Sequence, residues 1–283
     1  MSVTSEPRGP VAALRAHWPE YAIEAWGLGT FMISAACFST LLGYPNSPLH
    51  RAVPNADLQR VLVGLAMGVT AVALIYSPWG KRSGAHMNPA VTLTFLRLGK
   101  ITQWDALFYI AAQFGGGLLG VLLGAALLRD AFTAPPVLYV ATQPGAFGVP
   151  GAFVAEFVIA ALLMTVVLRV SNNPRYANLT GVYAGALVAT YIAVEAPLSG
   201  MSMNPARSFA SALPAGLWRH LWVYFTAPVL GMQAAASWYV YGRGRRAVGC
   251  AKLLHPPEQR CIHCGYSPAP QAGTSVDATG ALR

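Results

Sequence analysis

Apolar positions along this chain gather into long runs, without the strict alternation of a half-buried strand. Six runs are long enough, as helices, to cross about 30 Å of hydrocarbon. They lie at residues 21–43, 60–78, 104–128, 151–170, 178–196 and 220–241. A shorter apolar segment follows the second run and another the fifth, at 87–98 and 203–213. Each is about a dozen residues, too short to span. The pattern predicts an all-α integral membrane protein: six transmembrane helices plus two half-helices that enter the membrane and turn back.

A repeat orders these elements. Ser83-Gly84-Ala85-His86-Met87-Asn88-Pro89-Ala90 recurs as Ser199-Gly200-Met201-Ser202-Met203-Asn204-Pro205-Ala206. Each copy follows the second run of a half, and the first run of each half holds a glutamate, Glu24 or Glu156. Three spans per half is an odd number, so the second half must enter from the opposite face. The result is an inverted repeat, with halves at about 20–130 and 150–242 forming one unit over 20–242. Its working site belongs at the midplane where the halves meet. Residues 1–19 form an N-terminal segment and 243–283 a basic tail, polar after Arg246 and with a disordered composition from Ser267 onward.

Composition narrows the class. Hydrophobic residues make up 55% of the chain and charged ones 10%, where a soluble domain carries roughly 25% charged. A disordered chain and an ordinary soluble enzyme are both excluded, and 28 glycines with 21 prolines exclude a coiled coil. The net charge of +9 sits in short clusters between the runs, so it predicts no nucleic-acid partner. With both termini in the cytoplasm, 14 of the 19 Lys and Arg fall on the cytoplasmic side, as the positive-inside rule requires. The first 19 residues lack the apolar core of a signal peptide. These features suit a bacterial inner membrane.

The repeated box has a physical logic. Proline is tolerated as the first residue of a helix, where its missing N–H costs nothing. The asparagine before it can cap freed backbone donors or turn its amide elsewhere. Half-helices starting at Pro89 and Pro205 would meet N-terminus to N-terminus, with both positive dipole ends at one place. Asn88 and Asn204 would there offer donors to a passing oxygen while the field repels cations.

The duplicated Asn-Pro-Ala boxes, with Ser-Gly-Ala-His before the first and Arg207 after the second, resemble the aquaporin (major intrinsic protein) family over residues 20–242. The resemblance implies a passive channel conducting water in single file, together with other small neutral solutes, in a lipid membrane as a homotetramer. Pore residues would be Asn88, Pro89, Ala90, Asn204, Pro205, Ala206 and the constriction arginine Arg207. Met67 and Met201 match two further filter positions, and Thr190, Tyr191 or Ile192 the fourth. Water-selective members usually carry Phe and His where this chain has Met67 and the residue on the fifth span. Glycerol facilitators usually carry Trp and Gly there, with Asp after the second box's arginine. Here Ser208 follows, and Ala212 with Tyr224-Phe225 fall on the water-type side. The alternative within the class is a facilitator of glycerol, ammonia, hydrogen peroxide or metalloid hydroxides.

Other residues receive plainer readings. Glu24 and Glu156 are assigned to supporting the broken loops. His86 is a hydrogen-bonded loop histidine and a gating candidate. Gln113 with Gly115, Gly116 and Gly117 implies close helix contact. The tail offers Cys250, His255, Cys261, His263 and Cys264, where one C-x-x-C is consistent with a zinc site or with free thiols. No cofactor is expected in the pore. An ion-coupled transporter would need an ionisable group at the midplane, and Glu24, Glu156 and Glu195 read better as loop supports or helix-end charges. No catalytic constellation falls within the spans, so no enzyme is expected.

Overall fold

The computed structural model describes residues 9–268. Eight principal helices run in order: α1 Pro10–Gly43, α2 Ala56–Tyr76, α3 Pro89–Arg97, α4 Gln103–Leu128, α5 Gly148–Ser171, α6 Thr180–Val194, α7 Pro205–Ala215 and α8 Leu221–Arg243. The short pair α3 and α7 are the half-helices, and the other six are the spans. Five of the six, with α6 extended by the 3-10 turn Ala177–Leu179 before it, are long and apolar enough to cross a membrane by length and composition. The sixth, α8, has 23 residues, about 34 Å of helix, made less apolar by its Trp, Tyr, Pro and Gln positions.

The runs locate the helices within a few residues, except at one end. α1 begins at Pro10, eleven residues before its apolar run, so part of the 1–19 segment is continuous with the first span. Polar contacts hold this extension where hydrophobicity does not. His17 Nδ1 lies 2.7 Å from Asp105 Oδ1, and Tyr21 donates to the same oxygen at 2.6 Å. Asp105 sits in the first turn of α4, whose N-terminus Thr102 caps by accepting from the Asp105 amide.

Packing follows the repeat. α1 lies against α4, α5 against α8, and α2 against α6. The first two pairs occupy equivalent places in the two halves, and the third joins the halves. Small residues set the closeness of each pair. A Cβ on Gly116 would stand 2.1 Å from the Ala25 carbonyl oxygen, and one on Gly231 2.3 Å from that of Phe157. Outward faces are apolar, with Val69, Leu119, Leu127 and Val154 well exposed, as lipid contact demands.

The tail, basic and then polar in sequence, is nonetheless partly buried. From Gly244 the chain folds back on the end of the bundle, and Val248, Ala251, Lys252, Leu253, Leu254 and Cys261 are buried there. Gly249 donates its amide to Asn172 Oδ1 at 2.7 Å, which ties the tail to the α5–α6 connection. The stretch from 269 onward, where disorder is expected, lies outside the described residues.

Candidate functional site

The two loops leading into the half-helices are built alike. Each opens on a short helical turn, Pro78–Ser83 or Ala196–Ser199, ended by a left-handed glycine, Gly84 or Gly200. Beyond it Ala85 and Met87, or Met201 and Met203, also adopt positive φ between 46° and 55°. Such a conformation costs a non-glycine residue roughly 1–2 kcal/mol, so something must hold it. Glu24 accepts from Ser83 Oγ at 2.7 Å, the His86 amide at 3.1 Å and the Met87 amide at 2.5 Å. Glu156 accepts from Ser199 Oγ at 2.6 Å and from the Ser202 and Met203 amides at 2.7 Å. Tyr109 and Tyr224 donate to the Ser83 and Ser199 carbonyls.

This anchoring sets the direction of the peptides. In a trans peptide the carbonyl points opposite to the following N–H. With the amides of 86, 87, 202 and 203 turned toward glutamates, the carbonyls of Ala85, His86, Met201 and Ser202 turn away from them. Those four residues line a cavity of about 360 Å³.

The two boxes meet on its wall. Asn88 Oδ1 accepts from the Ala90 amide at 2.8 Å, and Asn204 Oδ1 from the Ala206 and Arg207 amides at 3.0 and 3.2 Å. Each asparagine also reaches across. Asn88 Nδ2 donates to the Met203 carbonyl and Asn204 Nδ2 to the Met87 carbonyl, both at 2.7 Å. An amide nitrogen has two donors, so each asparagine keeps one N–H for the cavity that both line. Sequence left capping and outward donation as alternatives; the side chains do both. Pro89, Ala90, Pro205 and Ala206 are buried behind them as the first helical residues.

Of the filter candidates, Met67, Ile192, Met201 and Arg207 all line the cavity. Thr190 does not: it is exposed, and its hydroxyl donates to the Ala186 carbonyl at 2.8 Å. Tyr191 is buried within the protein away from the cavity. The cavity-facing row of α6 is Ala184, Val188 and Ile192, one residue per turn. Arg207 Nη1 is buried without a hydrogen-bond partner among the described residues. Missed from sequence were Phe31, Ser39, Arg60 and Val63, which line the cavity on α1 and α2. A span that is apolar all round leaves no stripe to mark its inner face.

Gln113 does more than permit packing: it donates to Glu24 Oε2 at 2.8 Å and to Thr92 Oγ1 at 3.1 Å. His86 is buried, with Nδ1 3.0 Å from Thr92 Oγ1 and Nε2 donating to the Ala251 carbonyl at 2.8 Å. Glu195 is buried at the end of α6, and its carboxylate has no hydrogen-bond partner among the described residues.

In the tail Cys250, His255, Cys261 and Cys264 come together, their ligand atoms all within 4.8 Å of one another. Hydrogen bonding between Cys250 and Cys261 pushes the first thiol up and pulls the second down. A hydrogen bond from Cys250 also draws Cys264 down to about 6, while Cys261 raises His255 to about 9. Burial lowers His263 to about 4, so its ring is neutral.

Comparison with known proteins agrees with this geometry. The family model described as Major intrinsic protein matches residues 17–240. NIP4-1 of Arabidopsis thaliana is 41% identical over 58% of this chain and 56% of its own length. Aquaporin NIP1-2 of Arabidopsis thaliana is 33% identical over 75% of this chain and 70% of its own. Aquaporin NIP1-1 of Oryza sativa subsp. japonica is 36% identical over 74% and 69%. The chain thus spans little more than half of NIP4-1 and about two thirds of the other two. An aquaglyceroporin structure from Plasmodium falciparum superposes with a TM-score of 0.64, covering 79% of this chain and 95% of that one at 19% identity. That likeness supports the fold. These sequence relatives are plant proteins, and they lend no support to a bacterial membrane.

Proposed function

Since the chain belongs to the major intrinsic protein family, we propose that it is a passive channel passing water in single file down an osmotic gradient. The observation that carries this reading is the crosswise asparagine pair on the cavity wall. Each Asn presents a fixed donor to a water oxygen at the midpoint, and the carbonyls of the two loops offer acceptors on either side. A water held by two donors there has both hydrogens turned outward, which breaks the donor–acceptor chain a proton would follow. The N-termini of α3 and α7 add roughly half a positive charge each, repelling hydronium and other cations.

Arg207, with Met67, Ile192 and Met201, forms the filter. One guanidinium facing two flexible methionines and an isoleucine suits a small neutral solute with one polar edge as well as water. That composition favours, as the second reading, passage of glycerol, ammonia, hydrogen peroxide or metalloid hydroxides. Ion-coupled transport gains nothing from the site, because Glu24 and Glu156 are fully engaged by loop donors and Glu195 lies at a helix end.

The charge distribution favours cytoplasmic termini. The tail packs on the same end as the loops bearing Lys81, Arg82 and Arg175, and that end is the basic one. Four copies, each with its own conduit, form the assembly the family resemblance implies. The deciding experiment is stopped-flow light scattering on proteoliposomes. Shrinkage much faster than in empty vesicles, without glycerol re-entry, is expected for a water channel. Fast re-entry establishes the wider filter, and shrinkage no faster than in empty vesicles from folded protein refutes the channel reading.

A further inference from the structure

The tail holds chemistry that the conduit does not use. Cys250, His255, Cys261 and Cys264 each bring one ligand atom into a single cluster. Cys250 Sγ is 3.4 Å from Cys261 Sγ, and His255 Nε2 is 3.2 Å from Cys264 Sγ. Zinc bonds of about 2.3 Å to sulfur and 2.0–2.1 Å to nitrogen put the corners of a tetrahedron roughly 3.5–3.8 Å apart. Four atoms within 4.8 Å are therefore already spaced as a ligand set, and all the cysteines are free.

The local backbone is shaped to the same end. Cys261-Ile262-His263-Cys264 is a tight turn that closes on Gly265 at φ 71° and on the Cys261 amide, which donates to the Tyr266 carbonyl at 2.8 Å. Tyr266 stands edge-on to the His255 ring at 5.4 Å and donates its hydroxyl to the Pro257 carbonyl at 2.8 Å. These contacts orient ligands in the way outer partners do around a metal.

The cluster adjoins the segment seated on the inner mouth. The Ala251 carbonyl accepts from His86, the Leu253 amide donates to the Gly84 carbonyl at 3.2 Å, and the Leu253 side chain lines the cavity. His263, between two of the cysteines, stacks on His86 at 5.8 Å and bonds the Ser83 carbonyl at 3.1 Å. We propose that Cys250, His255, Cys261 and Cys264 bind one zinc ion as a four-coordinate structural site that clips the tail onto the cytoplasmic mouth. The site closes all four positions with protein ligands, so it is structural and leaves no open position for chemistry.

The test uses the full chain, reduced and equilibrated with zinc chloride, and does not depend on transport. One zinc per chain is expected, and cobalt(II) in its place should give the intense visible absorption of a tetrahedral thiolate site. Cys261→Ser/Cys264→Ser should bind none. His255→Ala, which keeps every thiol, should lose more affinity than the roughly 10–100-fold that removing an outer partner costs. Chelation should raise deuterium uptake severalfold across 248–266 and leave the six spans protected. Zinc well below one per chain in the reduced protein, or full binding by the double variant, overturns the site. Zinc bound with no change in exchange on chelation overturns the clip.

Discussion

Glu24 and Glu156 are each surrounded by donors from the loop they serve, and removing either strands buried amides. In Glu156→Ala the Ser202 and Met203 amides lose their acceptor, at about 1–3 kcal/mol each. Loss of roughly 2–6 kcal/mol is therefore expected, seen as a lower melting temperature and poor yield of the detergent-solubilised protein. Arg207→Val should leave water conduction in place and open a proton leak, measured with a pH dye inside vesicles under an imposed potential. An unchanged leak would mean that the half-helix field suffices alone. At this scale Asn88 and Asn204 were legible because the duplicated phrase names them, and Arg207 because it follows the second copy where the family resemblance puts a constriction arginine. Which of Thr190, Tyr191 and Ile192 faces inward was not, since all three sit on a span whose faces read alike. Gln113 was misjudged for a related reason: its partners Glu24 and Thr92 lie 89 and 21 residues away, beyond any local pattern.

Pairs of spans approach as closely as their small residues allow, and the faces of α4 differ sharply. Gly116 has the Ala25 carbonyl 2.1 Å from where a Cβ would stand, while Gly115 has nothing within 4 Å. Gly116→Ala should push α1 away from α4 and with it Glu24 from its loop, lowering folded yield markedly. Gly115→Ala should change stability by no more than about 0.5 kcal/mol. Comparing the two by thermal unfolding in one detergent checks this, and equal losses would show that the helix contact is not what matters. The run of apolar residues announced each span, and the Asn-Pro pair announced each half-helix start. The ten helical residues before Glu20 gave no such sign, because the His17–Asp105 and Tyr21–Asp105 contacts that hold them are polar and long-range.

Two halves, folded on one plan in opposite directions, account for residues up to about 243; the tail then breaks the symmetry by covering one mouth only. Its Cys and His residues could be read from sequence, but the seat of Ala251 and Leu253 against His86 and Gly84 could not, since those contacts join positions about 170 apart. With Leu253 in the cavity wall, release of the tail should widen the entrance it covers. Truncation after Arg246, or metal removal from the full chain, should raise osmotic water permeability per protein a few-fold in stopped-flow measurements; equal permeability would show that Leu253 does not limit flow. The crosswise bonds of Asn88 and Asn204 have a different consequence. Each half is bonded to the backbone of the other at the centre, so the halves cannot rock apart without breaking both bonds. Passage through the proposed channel then needs no moving part, and its Arrhenius slope should stay close to that of water self-diffusion, well below the steep slope of a carrier that must reshape itself in every cycle.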